Sequence, residues 1–98
     1  MAEDAVKIVP HVYTPVLENA RVRVPEIKTK PGESSELHSH PDMVLYAVTD
    51  CDWRLAGPDG ETVDVNIPQG QTIFLDATTH RAEDIGTGGS FAIAVELQ

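Results

Sequence analysis

An antiparallel all-β barrel or sandwich is the fold class that the sequence predicts. Three observations carry this: short apolar-rich segments recur at even spacing, Pro and Gly punctuate them, and no stretch has a convincing helical period. Val12 to Leu17 reads as a first extended segment, closed by Glu18-Asn19 as a turn. Arg21-Val22-Arg23-Val24 alternates polar and apolar strictly; Pro25 then interrupts, which suggests an edge position or a bulge, and Ile27 and Thr29 resume in the odd phase. Lys30-Pro31-Gly32 is a turn, and the segment through His40 follows. Met43 to Val48 is nearly all apolar, as a strand buried on both faces would be. Trp53 to Ala56 and Thr62 to Val65 flank Gly57-Pro58-Asp59-Gly60, the clearest hairpin signal in the chain. Ile67-Pro68-Gln69-Gly70 turns into Thr72 to Leu75, and His80 to Ile85 and Ser90 to Leu97 surround the glycine-rich stretch Gly86 to Gly89.

A chain of 98 residues suits one domain with one core, since domains of this size bury roughly 60 to 70% of their unfolded surface. Hydrophobic content of 41% is ordinary, but sixteen acidic residues against seven basic ones leave a net charge of −9. That field repels phosphate backbones and anionic headgroups, and no Lys/Arg run makes a local exception, so neither nucleic acid nor a membrane surface is expected as a partner. No apolar run approaches the roughly 18 to 20 residues that span a bilayer. Met1 to Asp4 is acidic where a signal peptide would be basic, which points to the cytoplasm. Cys51 stands alone, excluding an intramolecular disulfide and reading as a small buried apolar residue.

Leu37-His38-Ser39-His40 concentrates the chemistry. Side chains alternate faces along a strand, so His38 and His40 point the same way. His80 lies forty residues on, in a second β-rich segment. Two imidazoles from one strand and a third from a distant one give the facial arrangement in which a barrel can hold a divalent ion. Asp42 is near enough in sequence to offer a carboxylate to the same site, but it follows in a turn, where Asp more often caps backbone amides. Met43, Tyr46, Trp53 and Phe74 either line a pocket or fill the core; Met43 and Tyr46, three apart, cannot share a strand face. Asp76, Glu83 and Asp84 are candidates for a general base, but on a surface this acidic they are expected to be solvated carboxylates, and His11 a surface residue.

Gly32, five residues, then His38-Ser39-His40 resembles the first cupin motif, and Gly70 through His80 resembles the second more loosely. The resemblance runs from about residue 22 to the C-terminus. With the closing Ala94-Val95-Glu96-Leu97 the chain is similar to the short bacterial cupins associated with β-alanine degradation. It implies a single cupin domain over residues 1–98, a double-stranded β-helix or jelly-roll barrel, with an N-terminal strand segment (1–20) and a barrel core (21–98). It also implies that His38, His40 and His80 occupy the metal-ligand positions. The sequence departs from the pattern in four places: Met43 and Val44 stand where cupins commonly place a glutamate ligand, Asp50 and Cys51 replace the glycine closing the first motif, Asp76-Ala77-Thr78-Thr79 replaces the usual Pro-x-Gly, and Asp84 replaces the asparagine that often follows.

Three neutral imidazoles leave the charge of a divalent ion uncompensated and coordination positions open, so an anionic, bidentate ligand is favoured. By resemblance to cupin dioxygenases that use three histidines and no carboxylate, Fe2+ is the leading cofactor, with Mn2+, Ni2+, Cu2+ and Zn2+ behind it. The function expected is that of a metal-dependent enzyme acting on a small anionic or chelating metabolite, by oxygen-dependent cleavage or by isomerisation or cyclisation. The alternative is a non-catalytic cupin that binds or senses a small ligand. Small cupins resemble one another in pairing strand edges between subunits, so a homodimer is expected, with Val12 to Leu17 and Arg21 to Val24 as the edges to be covered.

Overall fold

The computed structural model describes residues 4–98. Asp4 caps a single turn of helix, α1 (Ala5–Ile8), its Oδ1 accepting from the Val6 N–H at 3.0 Å. This helix lies inside the N-terminal segment expected to be extended. Four residues are too few to show a helical period, and the turn is held by its cap and by the burial of Ala5 and Val9.

Nine strands follow: β1 (Tyr13–Glu18), β2 (Val22–Thr29), β3 (His38–His40), β4 (Met43–Ala47), β5 (Cys51–Ala56), β6 (Thr62–Ile67), β7 (Thr72–Leu75), β8 (Thr78–Asp84) and β9 (Ser90–Leu97). They form a five-stranded sheet in the order β1-β2-β9-β4-β7 and a four-stranded sheet in the order β3-β8-β5-β6, with antiparallel pairing throughout. β1 is an edge, but β2 is not: it lies between β1 and β9, so Arg21 to Val24 is no exposed edge. Pro25 is accommodated because it faces Pro15, beside the point where β1 shifts register between Pro15 and Leu17. A bulge therefore resolves the proline, as one of the two sequence alternatives had it.

The hairpin at Gly57 to Gly60 joins β5 to β6 in continuous register from Cys51↔Ile67 to Ala56↔Thr62. Gly57 N–H donates to the Glu61 carbonyl at 2.8 Å, and Gly60 supplies the positive φ of +87° that the turn requires. Gly89 is needed for a second reason: at φ +75° a Cβ there would lie 2.8 Å from the Thr29 carbonyl oxygen.

Period-two alternation sorts the core. β9 turns Ser90, Ala92, Ala94 and Glu96 inward, and β4 turns in Met43, Leu45 and Ala47. With Ile27, Trp53, Ile67 and Val12 these fill the space between the sheets, and the alanines of β9 keep it wide enough for a cavity. β4 is not buried on both faces as its composition suggested. Tyr46 is 45% exposed, because nothing among the described residues covers the outer face of the five-stranded sheet there. No helix among the described residues is long and apolar enough to cross a membrane.

Candidate metal centre

β3 pairs with β8 so that His38 and His80 are directly opposite one another, and His40 follows two positions along on the same face. Cross-strand neighbours and i, i+2 neighbours are the two closest relations a sheet offers on one face. Their combination brings three imidazoles together from positions forty residues apart. The ring centroids form a nearly equilateral triangle of 4.8, 4.9 and 5.1 Å. All three histidines are buried, at 0%, 4% and 7% exposure for His38, His40 and His80.

Their ligand atoms lie within 4.8 Å of one another, so a common centre is at most 4.8/√3, about 2.8 Å, from each. Imidazole nitrogens on a bound ion sit about 2.0–2.1 Å away, so each ring needs to close by less than about 1 Å. The donor chemistry fits as well. His38 Nδ1–H donates to the Glu36 carbonyl at 2.7 Å, leaving Nε2 as a lone pair directed away from the backbone. Burial, reinforced by the neighbouring His40, pushes His38 down to about 4 against the opposing pull of the Glu36 carbonyl. Burial and the two neighbouring rings push His80 down to about 3. Both are therefore neutral at physiological pH, the state in which imidazole is a ligand.

Behind His40 stands a carboxylate that sequence reasoning missed. Glu96, 1% exposed, lies with Oε2 3.4 Å from His40 Nδ1. Its Oε1 accepts from Arg23 Nε at 2.7 Å and from the second guanidinium nitrogen at 2.6 Å. Arg23 in turn pairs with Asp4 at 2.8 Å, so an Asp4–Arg23–Glu96–His40 chain runs from the helix cap to the site. The Asp4 and Glu96 partners hold Arg23 above its ordinary value. Burial works to raise Asp4, but the Arg23 hydrogen bond and the Val6 N–H outweigh it and hold it below the usual carboxylate range. A carboxylate on the far nitrogen of a histidine fixes the tautomer that presents Nε2. The signal was present in the sequence: Ala92-x-Ala94-x-Glu96 is in phase, so a strand with the alanines inward must turn Glu96 inward too. Arg23 reaches this carboxylate because it is the cross-strand partner of Glu96.

Below the histidines lies a cavity of about 40 Å³, room for about three waters at roughly 10–15 Å³ each. Leu45, Trp53, Ile73 and Leu75 are among its apolar walls, and His40 and His80 are among its polar lining residues, with Glu33, Ser34 and Ser35. Of the four pocket candidates, Met43 and Trp53 line it. Tyr46 and Phe74 do not: they are 45% and 54% exposed on the outer face of β4 and β7. The reason is pleat parity, since β4 turns Met43 inward and therefore Tyr46 outward, and Phe74 pairs with Val44, also outward.

Asp42 caps a backbone amide as expected, accepting from the Ala77 N–H at 2.7 Å. Asp76 and Glu83 are exposed, but Asp84 is not solvated: at 1% exposure it accepts from Thr29 Oγ1 at 2.6 Å and from the Gly86 N–H at 2.9 Å. Thr29 Oγ1 accepts the Trp53 indole N–H at 3.1 Å, so Asp84 anchors a cavity wall. His11 is exposed beside Glu33, and Cys51 is buried, its thiol pushed up by burial.

Solved structures share this architecture. A cupin domain from Bordetella pertussis Tohama I superposes with a TM-score of 0.80 at 22% identity, over 89% of this chain and 92% of that one. A conserved protein with a double-stranded β-helix domain from Klebsiella pneumoniae gives 0.68 at 17% identity, over 88% and 70%. An RmlC-like cupin family protein from Methanocaldococcus jannaschii gives 0.67 at 15% identity, over 88% and 78%. No family model matches the sequence, and no curated protein matches it significantly. The fold is the cupin double-stranded β-helix, and its three-histidine group could hold a metal ion.

Proposed function

We propose that this cupin-fold chain is a small metalloprotein whose His38, His40 and His80 hold a divalent ion, Fe2+ first, and that it acts as an enzyme on a small anionic or chelating metabolite. The observation that carries the reading is the convergence of three buried imidazoles whose ligand atoms lie within 4.8 Å of one another, two of them, His40 and His80, lining an apolar cavity. A bound ion would supply Lewis-acid chemistry, and with iron redox chemistry as well. The chain's own residues do the rest. Glu36 and Glu96 orient two of the rings, and Leu45, Trp53 and Ile73 give the adjoining space apolar walls. Met43 lines that space without offering a charge, so an anionic ligand is the natural partner of the ion. A cavity of about 40 Å³ favours a small ligand.

A second reading, a binding or sensing module without turnover, is favoured by the scarcity of proton-transfer groups: besides the histidines, Tyr13 and Glu33 are the titratable residues lining the cavity. One experiment separates the two. Protein purified without a metal-affinity tag is analysed for metals, reconstituted with each candidate ion, and followed for oxygen uptake with a panel of small thiols and β-diketones. Stoichiometric metal with turnover supports the enzyme. Stoichiometric metal with tight ligand binding and no turnover supports the sensor, and metal at trace level only, with no uptake on reconstitution, refutes the metalloenzyme and favours the binding reading.

A further inference from the structure

Tyr13 was no part of the motif, yet it reaches the site. Its N–H donates to the Val9 carbonyl at 2.9 Å, so the turn after α1 sets it as the first residue of β1, and pairing with Ile27 aims it inward. The side chain is buried at 5% exposure and packs its ring on His38 and His40, with centroids 5.3 and 5.1 Å away. Its hydroxyl lies 3.3 Å from His38 Nε2. Because His38 Nδ1 already carries a proton for Glu36, Nε2 is the acceptor and the phenol is the donor.

That lone pair is the one a metal ion would take. Once it is taken, the Tyr13 hydroxyl is a buried donor that has lost its acceptor, and such a group needs a new one. Two ligands at neighbouring positions of one ion, with bonds of about 2.0–2.2 Å, are about 3 Å apart. The hydroxyl, 3.3 Å from Nε2, already stands at about that ligand-to-ligand separation, and an ion arriving on the lone pair displaces it towards the other ligands of the ion.

We propose that the Tyr13 hydroxyl is the fourth protein group of the site and donates a hydrogen bond to the coordinated atom of an anionic oxygen or nitrogen ligand. The proposal rests on the metal reading above and deepens it by assigning the residue that recognises the ligand's charge. Burial and the nearby Glu96 carboxylate raise the phenol above its ordinary value, which keeps it a donor. A phenol also supplies no charge of its own, so it would reward an anion at the open position without competing for the ion. The ligand class that follows is a compact anion with an acceptor lone pair on the atom that meets the metal.

The test uses cobalt(II) as the ion and azide as the anion. Cobalt content and the visible d–d spectrum report metal binding, and the spectral change on titrating azide reports its dissociation constant. Tyr13→Phe keeps the ring that packs on both histidines, and circular dichroism checks that it folds. The expected result is wild-type cobalt stoichiometry with azide binding weakened about tenfold or more, the effect of losing one hydrogen bond to a charged acceptor. Unchanged azide affinity overturns the proposal while leaving the metal reading standing. So does loss of cobalt from a folded Tyr13→Phe protein, which would make the hydroxyl a ligand. A wild-type chain that takes up no cobalt overturns the metal reading itself, and the proposal with it.

Discussion

Glu96→Gln isolates the charge behind His40 while keeping the volume of the side chain. Glu96 is 1% exposed, takes two contacts from Arg23 at 2.7 and 2.6 Å, and faces His40 Nδ1 at 3.4 Å. An amide has one acceptor oxygen and one donor nitrogen, so its NH₂ either meets the guanidinium, a donor against a donor, or donates to His40 Nδ1 and fixes the tautomer that protonates Nε2, the ligand atom. Breaking a buried ion pair by removing one partner costs about 3–5 kcal/mol. Arg23 keeps Asp4 at 2.8 Å, which argues for the lower end, about 3 kcal/mol. At about 4–8 °C per kcal/mol for a domain of this size, Tm should fall by about 12–24 °C. The assay is thermal melting of the metal-free protein in chelator, monitored by far-UV circular dichroism. Metal affinity should also weaken about 10–100-fold, because the orienting partner of a ligand histidine is lost. A Tm within about 2 °C of wild type, where a cost of about 3 kcal/mol predicts far more, would refute the argument that the Asp4–Arg23–Glu96–His40 chain holds this end of the barrel together.

Acid should unfold the metal-free protein early. His38 and His80 are held at about 4 and about 3 in the folded state, so below the ordinary value of about 6.5 the unfolded chain takes up protons that the fold refuses. Stability is lost as pH falls from about 6.5 towards 4, by about 1.4 kcal/mol per unit for each group, and a urea midpoint equal at pH 7 and pH 4.5 would sink this account. His80→Ala should abolish stoichiometric metal binding, and metal content unchanged in that variant would remove β8 from the site. Met43→Glu, facing the cavity, should tighten metal retention and weaken anion binding, whereas Val44→Glu on the outer face should do neither; equal effects from both would contradict the pleat. Val16 and Leu17, exposed on edge strand β1, are expected to be covered by a second copy of the chain, and sedimentation as a monomer at micromolar concentration would count against it.

By itself the sequence determined what local pattern can specify. Alternation, Gly/Pro punctuation and the His38-Ser39-His40 spacing were enough for an all-β barrel with two imidazoles on one face, and the motif match pointed to His80 as the third. Asp42 as a turn cap and Cys51 as a buried residue were legible in the same way. The tertiary structure decided what depends on parity and register between strands. Which face of β4 turns inward, and so whether Met43 or Tyr46 meets the cavity, follows from sheet packing, because a one-residue change of phase reverses every side chain. The pairing of Arg23 with Glu96 spans 73 positions and that of Tyr13 with His38 spans 25, and no periodicity within one strand encodes either. Asp84 shows the same limit: a carboxylate beside a glycine turn looks solvated in one dimension, and only the arrival of Thr29 from β2 makes its burial affordable.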